Sequence, residues 1–177
     1  KQIYKPGRQL AATGRELGRP LEDVWLKTPD GLRLHGWFFP ANTNSPRAHI
    51  AVVMCHGNGG NISHRLGLYD ALLTTGVNVL AFDYRGYGRS EGKPGEQGTY
   101  LDAVASHAWL RQRGFAATNI IAFGESLGGG VAPATSNPGP RTVWRRVAPA
   151  RSVAPRVRSP VQISRCSGPS RPQGVPR

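Results

Sequence analysis

Beyond Glu125 the chain holds no aspartate, glutamate, lysine or histidine, although nine arginines fall there. Cysteine is scarce as well. Cys55 sits in an apolar run and Cys166 in the arginine-rich stretch, so two thiols give no basis for a disulfide framework. No apolar run approaches the roughly 18 residues that a spanning helix needs. Lys1–Lys5 is not followed by the apolar segment of a signal peptide, and a cytoplasmic or membrane-peripheral location is expected. The chain starts at Lys1 rather than Met, which leaves room for an upstream segment, and membrane association is expected only through one. Metal-ligand spacing is absent too, so neither metal nor cofactor is expected.

What is present suits one domain with a real core. The chain has 177 residues, 38% of them hydrophobic and 8% aromatic, with 15 prolines and 23 glycines. Its formal charge of +13 is unevenly placed. Lys1–Ser126 carries 14 Lys and Arg against 10 Asp and Glu, so the basic balance resides mostly in the last 51 residues. A nucleic-acid or anionic-lipid partner for that stretch is the alternative it raises. Trp144 is its one aromatic for base stacking and no recognition fold is visible, which disfavours nucleic acid.

Hydrophobic patterning gives the elements. Residues 1–20 lack a sustained period and read as an arm with one short helical turn. Glu22–Thr28 and Leu32–Phe39 alternate on either side of Pro29-Asp30-Gly31, which predicts an antiparallel hairpin. Ile50–Cys55, Val77–Phe82 and Ile120–Phe123 are apolar throughout and suit strands buried on both faces. Between the first two a helix is predicted over about 63–75, with Leu66, Tyr69, Leu72 and Leu73 on one face and Gly76 closing it. Between the second and third, Thr99 is the expected cap of a helix whose apolar stripe is Leu101, Val104, Ala105, Ala108 and Trp109. The fold class is therefore α/β: a hairpin, then β-α-β-α-β in a parallel sheet with right-handed crossovers. Ligands in such sheets bind at the carboxyl ends of the strands. A partial domain over 21–131 is expected, with 132–177 a disordered Arg/Pro-rich tail, because nine prolines recur from Pro133 onward.

Three loops follow the buried strands. Gly124-Glu125-Ser126-Leu127-Gly128 is a G-x-S-x-G at a strand end, the form of a nucleophile elbow. Its glycines remove Cβ clashes so that the Ser126 hydroxyl protrudes; the bland reading is a glycine-rich turn holding nothing. His56-Gly57-Asn58-Gly59-Gly60-Asn61 is expected beside it. The backbone N–H groups of Asn58 and Leu127 could there form an oxyanion hole, with His56, Gly57 and Gly59 supporting the loop. A phosphate cradle is the rival, but the Lys and Ser/Thr of a P-loop are missing. Asp83–Ser90 reads as a structural loop tied to the sheet edge through Asp83 and Arg85, with substrate contact by Arg85 or Tyr87 as the alternative.

Taken together, His56–Arg65, Asp83–Gly92 and Gly124–Gly129 resemble the corresponding motifs of the Bem46-like α/β-hydrolase domain-containing serine hydrolases, over about residues 20–131. The resemblance implies an eight-stranded, mostly parallel sheet and hydrolysis of esters, thioesters or lipids, with a small-molecule or lipid-like ester as substrate. It matches Ser126 to the nucleophile and Asn58 and Leu127 to the oxyanion positions, and many members carry an N-terminal membrane anchor. In the family the triad acid and histidine follow the nucleophile. Here His35, His49, His56, His64 and His107 all precede Ser126, so catalysis is expected to be impaired. The abrupt change of composition is what a reading-frame shift in a GC-rich coding sequence produces; the adjacent frame is then expected to encode the missing acid and histidine. An inactive fragment and a catalytically dead partner-binding module stand as alternatives.

Overall fold

Alternation of apolar and polar residues builds the first long strand, and a nearly continuous buried run builds the second. In a computed structural model, which describes residues 4–135, Glu22–Lys27 (β2) buries Val24 and Leu26 and exposes the residues between them. It pairs antiparallel with Arg33–Phe39 (β3), from Glu22 opposite Phe38 to Lys27 opposite Arg33. The turn between them closes with Gly31 N–H donating to the Thr28 carbonyl, and Gly31 sits at φ 92°, a conformation that costs glycine little. The predicted hairpin is present.

The arm before it is not idle. Lys5–Pro6 (β1) forms a short parallel ladder with Gly59–Gly60 (β5), and a 3-10 turn covers Arg15–Leu17. The three apolar runs form strands: Ala51–Cys55 (β4) and Asn78–Phe82 (β6) are buried throughout, and Ile120–Gly124 (β7) is buried only at Ile120. The main sheet has the order β2-β3-β6-β4-β7, in which β4 lies parallel to β6 and β7 while β3 meets β6 antiparallel. The α/β architecture expected from the sequence is thus the observed one.

Both sheet faces are covered, as a period of two within fully apolar strands requires. One face carries Val53, Leu80, Phe82 and Phe38 against Ala103 and Leu110 of the helix Glu96–Gln112 (α2) and Val131 of the short helix Leu127–Val131 (α3). The other carries Val52, Met54, Val79 and Phe39 against Tyr69 and Leu73 of the helix Leu66–Leu73 (α1). Each fully buried large side chain contributes about 1.5–3 kcal/mol, so these two layers hold the sheet.

Four expectations are corrected. The segment 63–75 is broken: Ile62–His64 is a 3-10 turn capped by the Asn61 side chain, and α1 proper starts at Leu66. Gly76 does close it, at φ 83°. α2 begins at Glu96, one turn before the expected cap, and the Thr99 hydroxyl donates to the Glu96 carbonyl inside the helix. Its buried face is Thr99, Asp102, Ala103, Ser106 and Leu110, with Ala105 beside them; Val104 is 41% exposed and Ala108 lies outside. Apolar periodicity placed Ala105 and Trp109, which pack on the core, but missed the small and polar remainder of the inward face, whose one acid is claimed by Arg85. Finally, β7 is the last strand of the sheet among the described residues, so Ile121 is 48% exposed instead of buried on both sides.

Past Val131 the chain continues as a 3-10 turn, Ala132–Thr135, whose Ala132 joins the core. The rest of the expected tail lies outside the described residues.

Candidate active site

The site is a meeting of two loop ends. Parallel pairing of β4 with β7 sets Cys55 opposite Gly124, and Glu125 N–H extends the ladder by donating to the Cys55 carbonyl at 3.0 Å. The glycine-rich loop after β4 therefore starts beside the turn between β7 and α3.

Ser126 occupies that turn at φ 51° and ψ −111°, and it alone among the described non-glycine residues has positive φ. Such a conformation costs on the order of 1–3 kcal/mol and persists only where the surroundings impose it. Two glycines do so. A Cβ at Gly124 would fall on the Gly128 carbonyl, and one at Gly128 on the carbonyl of Cys55, so both positions admit only hydrogen. Gly128 and Gly129 N–H groups then close the turn on the carbonyls of Glu125 and Ser126 at 2.8 and 2.9 Å. The Ser126 side chain is left exposed, and among the described residues nothing hydrogen-bonds its hydroxyl. Leu127 N–H, at the first position of α3, has no helical acceptor behind it.

Glu125, between the two glycines, fastens the elbow to the neighbouring loop. Its carboxylate accepts from Arg65 Nε at 3.0 Å and from Gly57 N–H at 3.4 Å. Asn58 follows, with its carbonyl and its Oδ1 each 3.0 Å from the Tyr87 hydroxyl, and Oδ1 also accepts from Lys5 N–H. Gly59 meets nothing where a Cβ would be, so its place in the ladder with Lys5 does not require glycine. The structure thus brings Ser126, Leu127, Gly124, Gly128, Gly57, Asn58 and Gly59 to one end of the sheet.

His56 lies deeper. It is fully buried, with Nδ1 2.8 Å from the Gly57 carbonyl and Nε2 3.4 Å from Asp83 Oδ1. Asp83 also accepts from Ile62 N–H at 2.8 Å and stands 4.0 Å from His35 Nδ1. Burial pushes the Asp83 carboxyl upward, but His35, His56 and the Ile62 amide outweigh it and hold it below the ordinary carboxylate range. Gly88 passes so close that a Cβ there would strike the Asp83 carboxylate. Asp83 therefore ties this loop to the molecule's centre, while Arg85 ties it to Asp30 in the turn of the hairpin that supplies the edge strand β2.

Arg85 is similarly committed. It reaches Asp102 of α2 at 2.8 Å and Asp30 of the hairpin turn at 2.8 and 3.0 Å, so both Arg85 and Tyr87 serve the frame. None of the five histidines hydrogen-bonds Ser126. The cavity of about 170 Å3 lined by Leu10, Thr13, Arg15, Leu21, Asp23, Trp37 and Arg89 lies under the arm, and none of the elbow residues lines it. Sequence reasoning missed Arg65, Asn61 and the arm as partners of the loop. Asn61 carried a local signal, three residues before His64 in a capping arrangement; Arg65 reaches the Asn61 and Gly57 carbonyls locally, but its partner Glu125 and the loop partners of the arm lie about fifty or more residues away and carry no signal.

A mixed sheet with helices on both faces and a strained serine at a strand-to-helix turn is the architecture of the α/β hydrolases. A family model described as serine aminopeptidase, S33, matches residues 46–170. The α/β-hydrolase domain-containing protein WAV2 of Arabidopsis thaliana is 38% identical over 141 residues, covering 74% of this chain and 44% of the plant protein. Protein bem46 of Schizosaccharomyces pombe is 33% identical over 130 residues, covering 71% and 42%. Among solved structures, an esterase of Pyrococcus furiosus superposes with a TM-score of 0.61 at 28% identity, over 75% of this chain and 50% of that one. The chain belongs to the serine aminopeptidase S33 family, as an α/β-hydrolase domain protein of the Bem46 type. It spans less than half the length of the curated relatives it matches. Among the described residues no helix is long and apolar enough to cross a membrane.

Proposed function

We propose that this chain carries the nucleophile and oxyanion half of an acyl-hydrolase site, acting on carboxylic esters or thioesters of small-molecule or lipid-like substrates. The observation that carries the reading is the backbone of Ser126, held at φ 51° with its side chain exposed between two glycines that admit no Cβ. Attack by Ser126 Oγ on a substrate carbonyl carbon moves the carbonyl electron pair onto oxygen. The N–H groups of Asn58 and Leu127 would stabilise that oxyanion, and one such donor is worth roughly 100- to 1000-fold in kcat. Collapse of the intermediate then expels the alkoxide or thiolate and leaves an acyl-serine, which water hydrolyses.

The hydroxyl proton passes to water and from water to the departing alkoxide or thiolate, because residues 127–177 contain no histidine or acid to carry it. Ser126 is therefore a weak nucleophile in this chain, and turnover is slow. A fluorophosphonate probe tests both parts. Labelling is expected to be slow and to disappear in Ser126→Ala. Labelling that persists in that variant would remove the nucleophile assignment, while rapid labelling would mean that a base reaches Ser126 and that the site is not impaired.

A further inference from the structure

The arm before the hairpin holds the candidate oxyanion loop through its main chain. Lys5 N–H donates to Asn58 Oδ1 at 3.0 Å and Gly7 N–H to the Gly60 carbonyl at 2.9 Å. The Gly7 carbonyl accepts from two loops at once, from Asn61 Nδ2 at 3.1 Å and from Gly88 N–H at 2.8 Å. Asn61 Nδ2 reaches the Gln9 carbonyl as well, at 2.7 Å, and Ala11 N–H donates to Ser63 Oγ at 2.8 Å. Arg8 completes the tie through its guanidinium, which donates to the Ser90 carbonyl at 2.7 Å.

The loop needs such a tie. Gly59 and Gly60 follow Asn58 directly, and Gly60 stands at φ 77°, so this stretch has little conformational preference of its own. Its ladder partner among the described residues is Lys5–Pro6, where the proline ring narrows the freedom of the arm. Tyr87, from the loop after β6, donates to the same Asn58 Oδ1 and to the Asn58 carbonyl, each at 3.0 Å.

We infer that Lys5–Gly7 is a positioning strap that fixes Asn58 for oxyanion stabilisation, with the Lys5 N–H and the Gly7 main chain as its working groups. The inference rests on the reading of Asn58 and Ser126 as parts of a hydrolase site. It predicts that changes in a partly exposed segment some fifty residues before the loop alter the chemistry at Ser126.

The test uses the full chain with two substitutions that spare the core. Lys5→Pro removes the N–H donor, and Gly7→Val presses a side chain onto the Gly60 backbone, which a Cβ would meet at 3.1 Å. Hydrogen exchange followed by mass spectrometry is expected to show amides in 57–61 exchanging about tenfold faster in both, with β4 and β6 unchanged. Fluorophosphonate labelling of Ser126 is expected to slow by about tenfold. Lys5→Gln, which keeps the N–H, is expected to retain the parent's exchange. Unchanged exchange in 57–61 overturns the strap, and faster exchange with an unaltered labelling rate overturns its positioning role. Absence of Ser126 labelling in the parent would instead strike the hydrolase reading, and exchange would still decide whether the arm orders the loop.

Discussion

At Ser126 stability and chemistry oppose each other. A non-glycine residue at φ 51° stores strain, and the neighbouring glycines hold it there by packing Gly128 against the Cys55 carbonyl and Gly124 against the Gly128 carbonyl. Glycine adopts this conformation at little cost, though it also gains freedom in the unfolded chain. The strain outweighs that entropy, so Ser126→Gly is expected to stabilise the fold by about 1 kcal/mol while abolishing probe labelling. Urea denaturation followed by tryptophan fluorescence checks it: the midpoint rises at unchanged slope. A lower midpoint would mean that the serine is not strained. This part of the site was legible in the sequence, since G-x-S-x-G after an apolar strand states the steric problem and its solution together. The grip of Tyr87 on Asn58 and of Arg65 on Glu125 was not, because hydrogen bonds across 29 and 60 residues leave no periodic trace.

Elements are joined in this molecule by buried polar groups as much as by apolar faces. α2 docks through Asp102, which is fully buried and accepts from the Arg85 amide and guanidinium at 2.8 and 2.9 Å. Burial raises the Asp102 carboxyl above its usual range even though Arg85 opposes the shift, so the helix is held by an ion pair that neither partner can leave cheaply. Asp102→Ala leaves the Arg85 charge without its buried partner and is expected to cost about 3–5 kcal/mol. Val104→Ser, on the exposed side, is expected to stay within about 0.5 kcal/mol. Equal losses in thermal melts of the two variants would restore the apolar stripe as the docking face. The strands were legible because apolar runs and the Pro-Asp-Gly turn are local signals. The orientation of α2 was not, because hydrophobicity alone does not mark an inward face made of Thr99 and Ser106, whose hydroxyls donate to carbonyls of their own helix, and of Asp102, whose partner Arg85 comes from another loop.

The charge of the whole molecule sets its response to acid. Asp30, at the hairpin turn, is held down to about 2 by its hydrogen bonds to Arg85, and Asp83 is held below the usual range by its two histidines and the Ile62 amide. Both have folded pKa values below the unfolded value of 3.8, so their contribution is fully present above that pH and is lost as pH falls through the folded values. Asp102 acts in the opposite sense: raised above 3.8, its protonation favours the fold on the way down and offsets part of the loss just above pH 4. Burial lowers His107, so a smaller loss begins as pH drops below 6.5. Below pH 4 the 10 Asp and Glu cease to offset part of the charge of 23 Lys and Arg, and self-repulsion adds to the same trend. The acid unfolding transition is therefore expected between about pH 4 and pH 2, after a shallow decline from pH 6.5, when followed by circular dichroism at low ionic strength. Asp83→Asn should be less stable at neutral pH and show a weaker acid dependence, since the buried one of the depressed carboxyls no longer titrates. A main transition above pH 5 in the parent chain would place the stabilising charges outside the Asp30 and Asp83 clusters.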